Sequence, residues 1–187
     1  MNKSIVKGSL SAISKKENKS LAESFMSCDT LLLVDMSASM ADEDTPESIP
    51  RYEQAERDVI RLQGKYEGKV ALVCFSSTVQ FCPTGVPVRL MGGTDLLAAL
   101  KFIKPADDCG IKLILISDGE PHRKDQCLQY ASQLKSQIDV VYVGPSDDAY
   151  GGQAWLQKFA AATGGQYIQS DNTGELFLPT EQLMLKG

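Results

Sequence analysis

Asp35-Met36-Ser37-Ala38-Ser39 sets one acid and two hydroxyls at alternate positions. In extended chain, alternate side chains point the same way. A segment that leaves a strand in that form therefore converges one carboxylate and two hydroxyl oxygens on a point. These are hard donors, suited to magnesium, manganese or calcium and poorly suited to zinc or copper. By itself the pattern also serves as turn capping. Two further stretches offer matching oxygens. Thr94, in Gly92-Gly93-Thr94-Asp95, supplies a third hydroxyl where the glycines permit close backbone approach, with N-capping as its alternative role. Asp118, in Ser117-Asp118-Gly119-Glu120-Pro121, supplies a second carboxylate, with a turn position before Gly119 as its alternative. Each motif alone has an ordinary explanation. All three in this order are much harder to reach by accident.

These residues need elements to hold them. Thr30-Leu31-Leu32-Leu33-Val34-Asp35 is an apolar run ending in an acid, as expected of a central parallel strand buried on both faces. Further strands are expected over 69–75, 78–82, 111–117, 138–143 and 166–169, the 78–82 segment as an antiparallel edge closed by Pro83. Helices are expected over 51–64, with Tyr52, Ala55, Val59 and Leu62 along one stripe, from Asp95 to just before Pro105, over 124–137 and over 155–162. Residues 173–185 read as a helix broken by Pro179. Strands separated by helices imply right-handed crossovers and a doubly wound α/β sheet with helices on both faces. Ligands of such sheets gather at the carboxyl ends of the strands, where strand order reverses. Asp35 and Asp118 both stand at strand ends.

At these residues the chain resembles the von Willebrand factor type A domain with its metal-ion-dependent adhesion site, whose pattern is DxSxS, then a threonine, then an aspartate. Asp35, Ser37, Ser39, Thr94 and Asp118 match it throughout. The likeness extends through Phe75-Ser76-Ser77, Ser117-Asp118-Gly119 and Ala161-Ala162-Thr163-Gly164-Gly165, and covers residues 28–170. It implies a Rossmann-like three-layer sandwich with a six-stranded, mostly parallel sheet of order 3-2-1-4-5-6, the third strand antiparallel. It also implies magnesium at the five residues, and a domain over 28–187 preceded by a basic arm or short helix over 1–27. The stretch 41–50, with Asp42, Glu43 and Asp44, is longer and more acidic than in many members, which would shield the metal or shape access to it.

An ion held mainly by hydroxyls keeps most of its charge. Water on it can give way to the Asp or Glu carboxylate of another protein, so the resemblance implies a magnesium-dependent protein-interaction module. The partner class expected by analogy is an AAA-type ATPase or another subunit of a complex. The alternative is a magnesium phosphatase or phosphotransferase of the haloacid-dehalogenase type. That chemistry needs a second acid two residues after the first, where Ser37 stands.

Composition narrows the rest. The 187 residues are 43% hydrophobic, enough for one sizeable core and against wholesale disorder. Net charge is −5, yet residues 1–19 hold five lysines and only Glu17 as an acid, which leaves −9 on the remainder. An acidic globule with no aromatics interleaved among the arm's lysines argues against nucleic acid as a partner. No run reaches the ~18 apolar residues of a membrane span, and Lys7 with several serines breaks up any secretory segment. The five cysteines, odd in number and without CxxC, read as reduced thiols of a cytoplasmic protein, with Cys74 in the core. P-loop, GxGxxG, GxSxG and HExxH motifs are missing, so no catalytic residues are assigned. His122, the only histidine, reads as a surface residue, Trp155 as packing with Phe159, and Glu120 as a loop acid near the site mouth.

Overall fold

The structure, a computed structural model, describes residues 5–45, 47–144, 151–170 and 176–186. Six strands are formed: β1 Thr30–Asp35, β2 Val70–Phe75, β3 Val79–Phe81, β4 Lys112–Ser117, β5 Ile138–Tyr142 and β6 Tyr167–Gln169. They make one sheet of order β3-β2-β1-β4-β5-β6. Only the β2–β3 pair is antiparallel. The chain passes from β1 to β2 on one side and later to β4 on the other, so strand order reverses between β1 and β4.

The apolar runs that define β1, β2 and β4 serve two cores at once. Leu31 and Leu33 join Val73, Phe75, Leu113 and Leu115 in one cluster, while Leu32 and Val34 join Leu72, Cys74, Ile114 and Ile116 in the other. That is strand alternation with both faces buried. The first face is covered by α4 Leu96–Phe102, α5 Lys104–Asp108, α6 Lys124–Ala131 and α7 Gly152–Thr163. The second is covered by α3 Arg51–Lys65, through Tyr52, Ala55, Val59 and Leu62, and by α8 Phe177–Leu185, through Phe177 and Leu183.

Two expectations are corrected. Pro179 does not break the last helix, because it is the third residue of α8. In the first turn an N–H has no intrahelical acceptor to lose. The part of the expected tail helix over 173–175 lies outside the described residues. The helix after Arg123 ends at Ala131 and does not run to 137. Buried Asp107 accepts the backbone N–H groups of Lys135 (2.8 Å) and Ser136 (2.7 Å), which draws that stretch out of helical register. The helix opened by Asp95 stops before Pro105 as expected, at Phe102, and a separate short helix, α5, follows with Pro105 in its first turn.

The basic N-terminal segment is helical over much of its described length. It forms α1 Leu10–Glu17, capped by Ser9, and α2 Leu21–Met26, opened by a capping box between Ser20 and Glu23. Leu10 is buried in the first core cluster. Val6 N–H donates to Thr84 and Ser11 N–H to Pro83, pinning the segment to the turn after β3. Leu10→Ala is expected to destabilise the protein by about 2–5 kcal/mol, the range for emptying a buried leucine site. Urea denaturation checks this, and a loss below about 0.5 kcal/mol would return the segment to the status of a loose arm.

Candidate functional site

Register places the two acids. Asp35, the last residue of β1, lies opposite Phe75 of β2, and Asp118 follows directly on Ser117, the last residue of β4. Both chains then turn. Asp35 is wholly buried, and its two oxygens are divided between neighbours. Oδ1 accepts the Ser37 N–H at 2.9 Å, and Oδ2 accepts the Ser117 hydroxyl at 2.7 Å. From there a chain of hydroxyls crosses to the second acid. Ser37 Oγ lies 3.1 Å from Ser39 Oγ, which donates to Asp118 Oδ1 at 2.9 Å. Ser39 reaches this position because a 3-10 turn over Ala38–Ala41 curls the chain back after Ser37.

Asp118 Oδ2 receives a different partner. Arg51 Nη1 donates to it at 2.7 Å, and both side chains are almost entirely out of water. The same guanidinium is gripped from its other edge by Asp44, with Nε donating to Oδ1 at 2.8 Å and Nη2 to Oδ2. Arg51 thus ties the acidic 42–44 stretch to the end of β4.

The Thr94 loop is stapled to both other loops by its backbone. Ala38 N–H donates to Gly92 at 2.9 Å, and His122 N–H donates to Thr94 at 2.9 Å. A Cβ on Gly93 would stand 2.4 Å from the edge of the exposed His122 ring, so a side chain there would have to displace that ring. Asp95, not Thr94, caps α4, accepting Ala98 N–H at 3.1 Å. The capping alternative for Thr94 therefore falls away. Its own hydroxyl takes no part in the Asp35–Ser37–Ser39–Asp118 network, so hydrogen bonds link four of the five expected residues, with Asp35 joined through the Ser37 backbone N–H, and the backbone brings in the fifth. His122 is exposed, Trp155 is buried and stacked on Phe159, and Glu120 pairs with Lys124. The five cysteines are free thiols, and Cys74 is buried in the second core.

Electrostatics follow from burial. Removal from water pushes the Asp35 carboxyl up to about 7, and the charge of Asp118 adds to the rise against the hydrogen bonds from Ser117 and Ser37. Burial raises Asp118 as well, opposed by Arg51. Burial works against the charge of Arg51, but Asp44 and Asp118 together hold it above its ordinary value. Arg51 in turn pulls Asp44 down. Among the described residues no three His, Cys, Asp or Glu side chains gather as a metal-holding group. A cation here would rest on two carboxylates and on hydroxyls, an all-oxygen set suited to a hard ion.

Two participants escape a reading of motifs. Ser117 orients Asp35, and its signal is the hydroxyl that ends an otherwise apolar strand. Arg51 is signalled by a cation placed at a helix N-terminus, where the macrodipole disfavours it, just after an acidic stretch.

No family model matches the chain, and no curated protein matches it. Among solved structures it is similar to an aerotolerance-related membrane protein from Bacteroides fragilis NCTC 9343, carrying multiple mutations to serines, with a TM-score of 0.63 and 19% identity over 86% of this chain and all of that one. The fold is von Willebrand factor type A-like. A second likeness, to the Deinococcus radiodurans RO (RSR) protein, has a TM-score of 0.38 and 19% identity over 63% of this chain and 28% of that one, too slight to argue from. Although the first neighbour is named a membrane protein, no helix among the described residues here is long and apolar enough to cross a membrane.

The buried acid gives a pH test. A carboxyl that titrates near 7 in the fold and near 3.8 in the unfolded chain holds its proton longer when folded. Stability therefore falls as pH rises between those values, by about 4 kcal/mol once ionisation is complete. In chelator-treated buffer, wild type is expected to lose stability relative to Asp35→Asn as pH rises from about 4 to about 7. Urea denaturation of both proteins measures the gap, and a gap that does not change with pH would contradict the assignment.

Proposed function

We propose that this chain is a magnesium-dependent protein-interaction module that receives an Asp or Glu carboxylate from a partner protein at Asp35, Ser37, Ser39, Thr94 and Asp118. The observation that carries the reading is the hydrogen-bonded run from Asp35 through Ser37 and Ser39 to Asp118, at the carboxyl ends of β1 and β4. Two buried acids face one buried guanidinium there, so once both acids are ionised negative charge is in excess and a cation is favoured. Manganese or calcium would satisfy the same donors.

The chain's own residues divide the work. Ser117 and the Ser37 N–H orient Asp35, leaving the Ser37 and Ser39 hydroxyls free to re-aim their lone pairs. The Thr94 hydroxyl, unengaged by that network, is the remaining donor. When bound, the ion supplies an electrophilic position that an acidic partner group can occupy. That accounts for an acidic ligand on an acidic domain, since a divalent charge inverts the local field. The reading extends to a cytoplasmic setting, where free thiols stay reduced. Its partner would be a protein such as an AAA-type ATPase or another complex subunit.

Isothermal titration of magnesium is expected to give saturable heat with wild type and at least tenfold weaker binding with Asp35→Ala. Capture of a partner is expected in magnesium, and to be lost in EDTA or with Asp118→Ala. Equal heats from wild type and a folded Asp35→Ala would remove the proposal.

A further inference from the structure

Arg51 is the charged side chain at the site that the metal-binding pattern does not predict. It is 6% exposed although charged, and it opens α3, where the helix dipole opposes it. Its position is over-determined by acceptors. Asp118 Oδ2 takes Nη1 at 2.7 Å, Asp44 takes the Nε/Nη2 edge in a two-pronged grip, and the Ser39 carbonyl lies 3.4 Å from Nη1. Asp42 adds a longer contact at 3.8 Å, and the Arg51 N–H donates to the Asp42 carbonyl at 3.2 Å. A planar guanidinium gripped two-pronged by one carboxylate and bonded by a second is held in a specific place as well as paired.

We propose that Arg51 is a positioning residue that sets the cation affinity of this site: its guanidinium competes with a divalent ion for the charge of Asp118, and Asp44 locks it in the competing place. The inference rests on the metal reading above and deepens it. A fixed positive charge against Asp118 repels an arriving cation and already satisfies one of the two oxygens the ion would draw on. The acidic 42–44 stretch acts through Arg51: by holding the guanidinium on Asp118, it keeps the site weak for ions. The direction of the effect separates this role from a structural one. Damage to a supporting residue lowers affinity, whereas release of a competitor raises it.

The test measures magnesium and manganese binding calorimetrically in wild type, Arg51→Gln, Asp44→Asn and each combined with Asp35→Ala. Arg51→Gln is expected to bind at least about tenfold tighter than wild type. Asp44→Asn, which keeps the arginine but loosens its grip, is expected to bind about threefold tighter. Adding Asp35→Ala is expected to abolish both gains. Should Arg51→Gln fail to fold without ion, Asp44→Asn carries the decision alone. If wild type binds and both variants bind equally or more weakly, the inference is overturned while the metal reading stands. If no folded variant binds either ion at millimolar concentration, both are overturned.

Discussion

Two carboxylates held out of water at the ends of neighbouring parallel strands set the terms for the structure around them. Asp35 is wholly buried and Asp118 nearly so. A carboxylate loses several kcal/mol of hydration in such a place unless hydrogen bonds and opposite charge replace it. The replacements come from every nearby element. Ser37 and Ser117 take Asp35, while Ser39 and Arg51 take Asp118. The 3-10 turn that follows Ser37, the buried start of α3 and the hydroxyl ending β4 are parts of one solution to that requirement.

The sheet makes the requirement geometrically possible. β1 and β4 are adjacent and parallel, so their carboxyl ends fall on the same side of the molecule. Because strand order reverses between them, no crossover from either strand covers the space beyond. Backbone hydrogen bonds then draw in the remaining loop: Met91 N–H to Met36, Ala38 N–H to Gly92 and Asp95 N–H to Ser76. Such bonds do not depend on side-chain identity, so the loop's place is set by the backbone. The fold supplies a place, and its chemistry has to be argued from the side chains that reach it.

What was legible in the sequence follows from the range of each signal. Apolar runs such as Leu31–Val34 and Leu113–Ile116 are local and strong, and they place β1 and β4 directly. The sheet order came with the resemblance, because strand pairing is not encoded in periodicity. Asp35, Ser37 and Ser39 were visible because strand alternation converts spacing into direction. Pro179 misled because a proline is disruptive inside a helix and harmless in its first turn, and the boundary of α8 depends on tertiary packing of Phe177 and Leu183. The lysines of residues 1–19 mark a basic arm or short helix, and within its described part buried Ser9 and Leu10 and the bonds at Thr84 and Pro83 hold the chain in place. Charge on one helix face says nothing about what the opposite face covers.

Arg51 was illegible for a different reason: its partner Asp118 lies 67 positions away, and no period connects them. Its presence also answers a physical question that the five oxygen donors leave open. A cluster built solely of carboxylates and hydroxyls would be an uncompensated buried charge whenever no ion was bound, and the loops would have to come apart or Asp35 and Asp118 take up protons. A guanidinium already seated against Asp118, and held from outside by Asp44, offsets part of the burial cost of Asp118, while Asp35, which has hydrogen bonds but no such cation, has its carboxyl pushed up to about 7. The acidic stretch that looks from the sequence like a shield over the site is therefore better understood as the outer half of a charge-balancing device whose inner half is an arginine.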